Sequence, residues 1–158
     1  MRVPLTIGRC LVAGLLSVAV GSCGTRVGAC GVPVRETLDP NHLLHVTDPA
    51  VARYLTDPPT SGAHLGTPAP DGVVTTPILA AIQVAILERG DVLVQYRDNS
   101  DAAAANPLAR AHVVVAPQPT LPARVVVTAW TYKLTCSAFD AKAIAKFADA
   151  HIGVPLQH

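Results

Sequence analysis

A histidine at the end of a stiff loop is the first feature of this chain with chemical reach. In Pro58-Pro59-Thr60-Ser61-Gly62-Ala63-His64, two proline rings fix φ, a glycine admits conformations other residues resist, and an imidazole closes the turn. Ser61 stands three residues before His64. A nucleophilic serine, however, needs a base within reach and a strand–turn–helix setting of the G-x-S-x-G kind, which the sequence lacks. The hydroxyls of Thr60 and Ser61 are therefore expected to bond the backbone of their own turn. No catalytic residue is assigned, and the reading leans away from an enzyme. With no G-x-G-x-x-G and no P-loop, nucleotide binding has no support. The cysteines, Cys10, Cys23, Cys30 and Cys136, form no C-x-x-C pair of the kind that builds a zinc knuckle.

The chain that must position this loop has 158 residues, room for one domain. Half of it is apolar, but only 4% is aromatic, so the core must be built from Val, Ile, Leu and Ala. The formal net charge is +1, with no basic run. That excludes the electrostatic footprint of a nucleic-acid binder.

Arg2 and Arg9 precede an uncharged apolar run from Cys10 to Val20. The run is too short for a bilayer-spanning helix, which takes about 20 residues, but it suits the core of a secretory signal. It ends in Val20-Gly21-Ser22-Cys23, which resembles a bacterial lipobox. Residues 1–22 are therefore expected to be a lipoprotein signal peptide, with Cys23 lipidated and the protein held on the outer face of the cell membrane. The alternatives are cleavage after Val27-Gly28-Ala29, giving a secreted protein, and an uncleaved buried helix. Removing residues 1–22 takes away Arg2 and Arg9 but no acid, so twelve bases fall to ten against eleven acids. Cys30 and Cys136 then remain as an even pair in an oxidising compartment, where they either form a disulfide or stay as separate thiols. Residues 23–41, rich in Gly and Pro, read as a flexible tether, and residues 42–158 as a single globular domain.

Within that domain, Thr76-Pro77 offers an N-cap and a first-turn proline, and Arg89-Gly90 a C-terminus. The apolar stretch between them predicts a helix buried on several sides, against a rival strand through Ile82, Val84 and Ile86. Asp91–Tyr96, His112–Ala116 and Arg124–Trp130 read as strands, with Tyr132–Cys136 extending or pairing with the last. A helical turn begins at Asp101. A closing helix opens at Phe139-Asp140 and buries Ala143, Ile144, Phe147 and Ala148, leaving Lys142, Lys146 and Asp149 outside. The expected architecture is α/β (α+β): a small mixed sheet of three to four strands with helices packed on it. Trp130, at a strand end, is expected to cap the core, with ligand stacking as its second reading.

Three segments taken together resemble a bacterial family, domain-of-unknown-function family 3105, whose members are often secreted or membrane-tethered. They are Pro58-Pro-Thr-Ser-Gly-Ala-His64; Val84-Ala-Ile-Leu-Glu-Arg-Gly90 leading into Val92–Tyr96; and Thr128-Ala-Trp130 followed by Phe139-Asp140 and Ile144-Ala-Lys-Phe147. The likeness runs from about His45 to Pro155. The family pattern at the second segment is Val-His-x-Leu-Glu-His-Gly, and this chain departs from it with Ala85 and Arg89. Alanine offers no ligand, and arginine's permanent charge opposes a cation.

The resemblance leaves His45, His64 and Glu88 as a ligand set that could hold zinc or copper, with Cys136 or water completing the shell. Other readings stand beside it: Arg89 pairing with Glu88 or Asp91, and His64 bonding its own loop. His42, His112, His151 and His158 are expected to be solvated or locally bonded. The leading expectation is a non-enzymatic binding or interaction module without a cofactor, its loop Pro58, Pro59, Thr60, Ser61, Gly62 and His64 serving as a clasp or as a surface for an envelope protein partner. The alternative is an extracytoplasmic metal-binding protein.

Overall fold

In the computed structural model, residues 28–153 are described. The signal peptide, Cys10, Cys23 and His158 lie outside them. The five-residue runs of branched aliphatics form strands because alternate side chains are buried on both faces of one sheet. Its members are β1 (Val34–Arg35), β4 (Val92–Tyr96), β5 (Val113–Pro117), β6 (Val125–Ala129) and β7 (Tyr132–Cys136), in the order β1-β7-β6-β4-β5. β4 and β5 are parallel, with Val92 opposite Val113; the other pairs are antiparallel. The sheet is mixed, as expected, with one strand more than the sequence suggested. A second, two-stranded parallel ladder pairs β2 (His45–Val46) with β3 (His64–Leu65).

Alternation along β4 and β5 divides the core into two layers. Val92, Val94, Val113 and Val115 share one layer with Ile144, Phe147 and Ala148 of α3 (Ala141–His151). Leu93, Val114 and Ala116 share the other with Val84, Ile86 and Leu87 of α1 (Ala80–Glu88), together with Ile78 and Trp130. Trp130 is 7% exposed and closes the α1 layer, with the ring of His42 edge-on at 6.5 Å. The Asp140 carboxylate caps α3 by accepting from the Ala143 N–H at 3.0 Å. A short α2 (Ala102–Ala105) continues into a 3-10 turn that ends at Leu108. No described helix is long and apolar enough to cross a membrane.

Two expectations are corrected here. The helix predicted from Thr76-Pro77 begins only at Ala80, with an extended Leu79 at the cap and no side-chain capping bond. The chain stays extended because Ile78 is itself a core anchor, and the Gln83 amide donates to its carbonyl at 2.7 Å. The second correction concerns residues 23–41, read as a tether. From residue 28 onward this segment packs on the domain. The Gly31 N–H donates to Thr135 O at 2.9 Å, Val34 and Arg35 pair with β7, and the Glu36 N–H donates to Thr131 O at 2.8 Å. Glycine and proline signal departure from helix, and they are compatible with an edge strand. Cys30 and Cys136 are joined by a disulfide that fastens this segment to β7.

Just before β6, Arg124 donates to both carboxylate oxygens of the buried Asp101 at 2.8 Å. These bonds, acting against burial, hold the Asp101 carboxyl below its ordinary range. The folded protein therefore binds this proton less readily than the unfolded chain does. The stabilisation is present above the ordinary carboxylate pKa of about 3.9 and is lost as pH falls through the depressed value. Thermal melts of Asp101→Asn between pH 3 and 7 should show a lower Tm at neutral pH and a gap to wild type that narrows in acid. A gap independent of pH would contradict this assignment.

Candidate metal centre

Register places the first two site residues. In a parallel ladder, residues directly opposite one another project their side chains to the same face, and β2 pairs with β3 with His45 opposite His64. The His64 N–H donates to Leu44 O at 3.0 Å. The two imidazoles meet edge to face, with centroids 4.4 Å apart. α1 ends beside them. Glu88, in its last turn, brings a carboxylate oxygen to 2.6 Å from His64 Nε2. His45 Nε2 lies 3.2 Å from the same nitrogen. One ligand atom from each of the three residues falls within 4.8 Å of the others.

The protonation pattern follows from the partners. His64 Nδ1 lies 3.1 Å from Gly62 O. A carbonyl can only accept, so Nδ1 donates to it and Nε2 is the atom turned to Glu88 and His45; by the same rule the 2.6 Å contact of Nε2 with the Glu88 carboxylate holds a hydrogen, whose place a metal ion would take. A backbone carbonyl behind the ring is the usual outer partner of a metal-binding histidine. Two donors on one tetrahedral zinc sit about 3.3 Å apart, given bond lengths near 2.0–2.2 Å. The two imidazole nitrogens already have nearly that spacing. Glu88 is closer than a shared metal requires, and a small outward rotation of its half-exposed carboxylate would supply the difference. His64 is 1% exposed, while His45 is exposed, so the centre runs from interior to surface.

The loop from Pro58 to His64 is buried throughout. The sequence suggested that the hydroxyls of Thr60 and Ser61 bond their own turn; they bond other segments instead. The Thr60 hydroxyl donates to Glu36 at 2.8 Å, and the Ser61 hydroxyl accepts from the Asp39 N–H at 2.9 Å. Glu36 also receives Thr56 and the Lys133 ammonium. Burial works to raise the Glu36 carboxyl, but Lys133 and the two hydroxyls outweigh it and hold it below the usual range. From the other side, Thr131 N–H donates to Thr60 O and the Tyr54 hydroxyl to Ala63 O. The loop is thus a clasp held by residues 36–39, Tyr54 and Thr131, and its last residue is the buried histidine of the cluster. The Asp57–Pro58 peptide is cis.

Gly62 sits at φ +131°, and a Cβ there would lie 3.0 Å from Tyr54 Cδ1 and 3.3 Å from the Asp39 carboxyl. Gly62→Ala should therefore cost about 1–3 kcal/mol from backbone strain and crowding combined. Chemical denaturation would measure it, and an unchanged midpoint would mean that the turn relaxes freely.

The remaining candidates lie elsewhere. Cys136, proposed as a fourth ligand, is bonded to Cys30 in the α3 layer and cannot serve. Arg89 turns away from Glu88. It binds Asp91, Asp71 and the carbonyls of Ala69 and Pro70, fixing the 69–71 loop. His112 bonds Asp91 at 2.7 Å, and His42 bonds Asp39 O at 2.8 Å. His151 packs on Tyr132 and Phe147, where burial pushes its pKa down. The pairing of Asp39 with Ser61 was missed from sequence, because nothing local to either residue signals a partner 22 positions away.

These features define a small α+β domain with a surface His-His-Glu cluster carried on a buried clasp. The family model described as "Protein of unknown function (DUF3105)" matches residues 45–157, and the chain belongs to that family. No curated protein and no solved structure matches it.

Proposed function

We propose that this domain binds a transition metal, zinc or copper, through His45, His64 and Glu88, in a protein held at the outer face of the cell membrane by lipid on Cys23. The observation that carries the metal reading is the convergence of three ligand atoms within 4.8 Å, one of them on a buried imidazole backed by a carbonyl. Two imidazoles and one carboxylate suit zinc and copper, whereas magnesium and calcium prefer oxygen. The metal would sit between interior and solvent, contributing positive charge where Glu88 supplies negative. The Cys30–Cys136 disulfide is in keeping with an oxidising compartment. A purely partner-binding role draws less support, since the loop that would have faced the partner is buried.

The test is elemental analysis of purified, tag-free protein after loading with zinc or copper and desalting. One ion per chain is expected; no retained ion overturns the metal reading. The anchor is tested separately by mass spectrometry of the mature protein, with two or three acyl chains expected on Cys23. An unmodified N-terminus at Cys30 would overturn it, leaving a secreted protein.

A further inference from the structure

We infer that the centre at His45, His64 and Glu88 is an exchange site: its metal remains open on the outer face, and an incoming donor enters there before the protein ligands leave. This rests on the metal reading above and adds a route and a ligand class to it. Three protein donors do not fill the shell of a tetrahedral ion, and closed structural zinc sites use four.

The described residues offer no fourth. Cys136, the fourth ligand suggested by the sequence, is in a disulfide. The remaining described histidines, His42, His112 and His151, are bonded or packed against other partners. Among the described residues, then, nothing completes the shell, and the open position falls to water or to a donor from another molecule.

Burial sets the direction of entry. His64 is 1% exposed and is held from behind by Gly62 O, so it forms the closed wall. Glu88 is partly exposed, and His45 is exposed on a two-residue strand, so they form the open wall. Leu43 and Leu44, 62% and 51% exposed, stand immediately before His45 and give that wall an apolar rim. A donor on a macromolecule or a small chelator could dock there without displacing the core.

A pocket of about 300 Å³ lies between residues 28–33 and α3, and a groove of about 400 Å³ lies between residues 49–54 and the start of α1. Neither includes a ligand of the centre. An accessible ion held by three donors is suited to carriage and hand-over. The class of ligand is a compact nitrogen or carboxylate chelate, able to add to the ion while His45 departs.

The experiment follows zinc transfer from the loaded, full-length protein to the chromogenic chelator 4-(2-pyridylazo)resorcinol under pseudo-first-order conditions. The observed rate constant should rise in direct proportion to chelator concentration, and His45→Ala should raise the slope. A rate constant that does not change with chelator concentration would mean that zinc dissociates first from a closed site, and would overturn the exchange route while leaving metal binding intact. Protein that retains no zinc at the start would instead overturn the metal reading, and this inference with it.

Discussion

His64→Ala is expected to bind zinc at least about a hundredfold more weakly than wild type in a competitive chelator titration. Loss of an outer partner alone costs roughly ten- to a hundredfold, and in the proposed centre His64 would be an inner ligand. Its ring is also the one of the three that is buried and pinned at Nδ1. Removing a buried ring could unfold the clasp, so the same titration on the surface ligands is essential. His45→Ala and Glu88→Gln alter partly or fully exposed positions and should retain the wild-type melting curve without metal. Each should still lose affinity, and the zinc-induced rise in Tm should shrink accordingly, since a ligand that binds only the folded state stabilises it by RT ln(1 + L/Kd), L being the free ligand concentration. Wild-type affinity in both surface variants would remove the centre from consideration, whatever His64→Ala does.

The second large effect concerns the disulfide. Cys30→Ser with Cys136→Ser should lower the unfolding free energy by about 4–5 kcal/mol on the chain-entropy model, for a closed loop of this size. The two cysteines are 106 residues apart, so the bond restrains most of the described chain when it unfolds. Its local consequence is more specific. Residues 28–36 are held to β7 by this bond and by a two-residue strand, and the adjoining Glu36 and Asp39 hold Thr60 and Ser61. Loosening the segment should therefore loosen the clasp that carries His64. Denaturation with and without reductant would measure the global term, and the zinc affinity of the reduced protein would measure the local one. Equal stability in both states would show that the hydrogen-bonded strap alone is sufficient.

Several elements were legible in the chain because their signals are local. The valine runs at Val92–Tyr96, Val113–Pro117 and Val125–Ala129 are strands because β-branched residues fit a pleated surface buried on both sides. α3 was legible from its one-sided apolar stripe and its Asp140 cap. Other features were not. Thr76-Pro77 has the chemistry of a helix start, but tertiary burial of Ile78 delays the helix to Ala80. The glycines and prolines of residues 28–41 suggest a tether, yet a covalent bond and an edge-strand pairing, both to residues about a hundred positions away, make this segment part of the sheet.

The sequence by itself determined the class of fold, the membership of the family and the residue types available for chemistry. Those depend on composition, periodicity and short motifs, each complete within a few residues. It also identified His45, His64 and Glu88 as the candidates once the expected histidines proved to be Ala85 and Arg89. Only the tertiary structure decided that the three meet. That meeting depends on the register of β2 against β3 and on where α1 ends, and register is a relation between segments that neither segment carries alone. The tertiary structure likewise decided that Cys136 is no ligand and that Arg89 fixes a different loop, because both are settled by which partner is nearest in space.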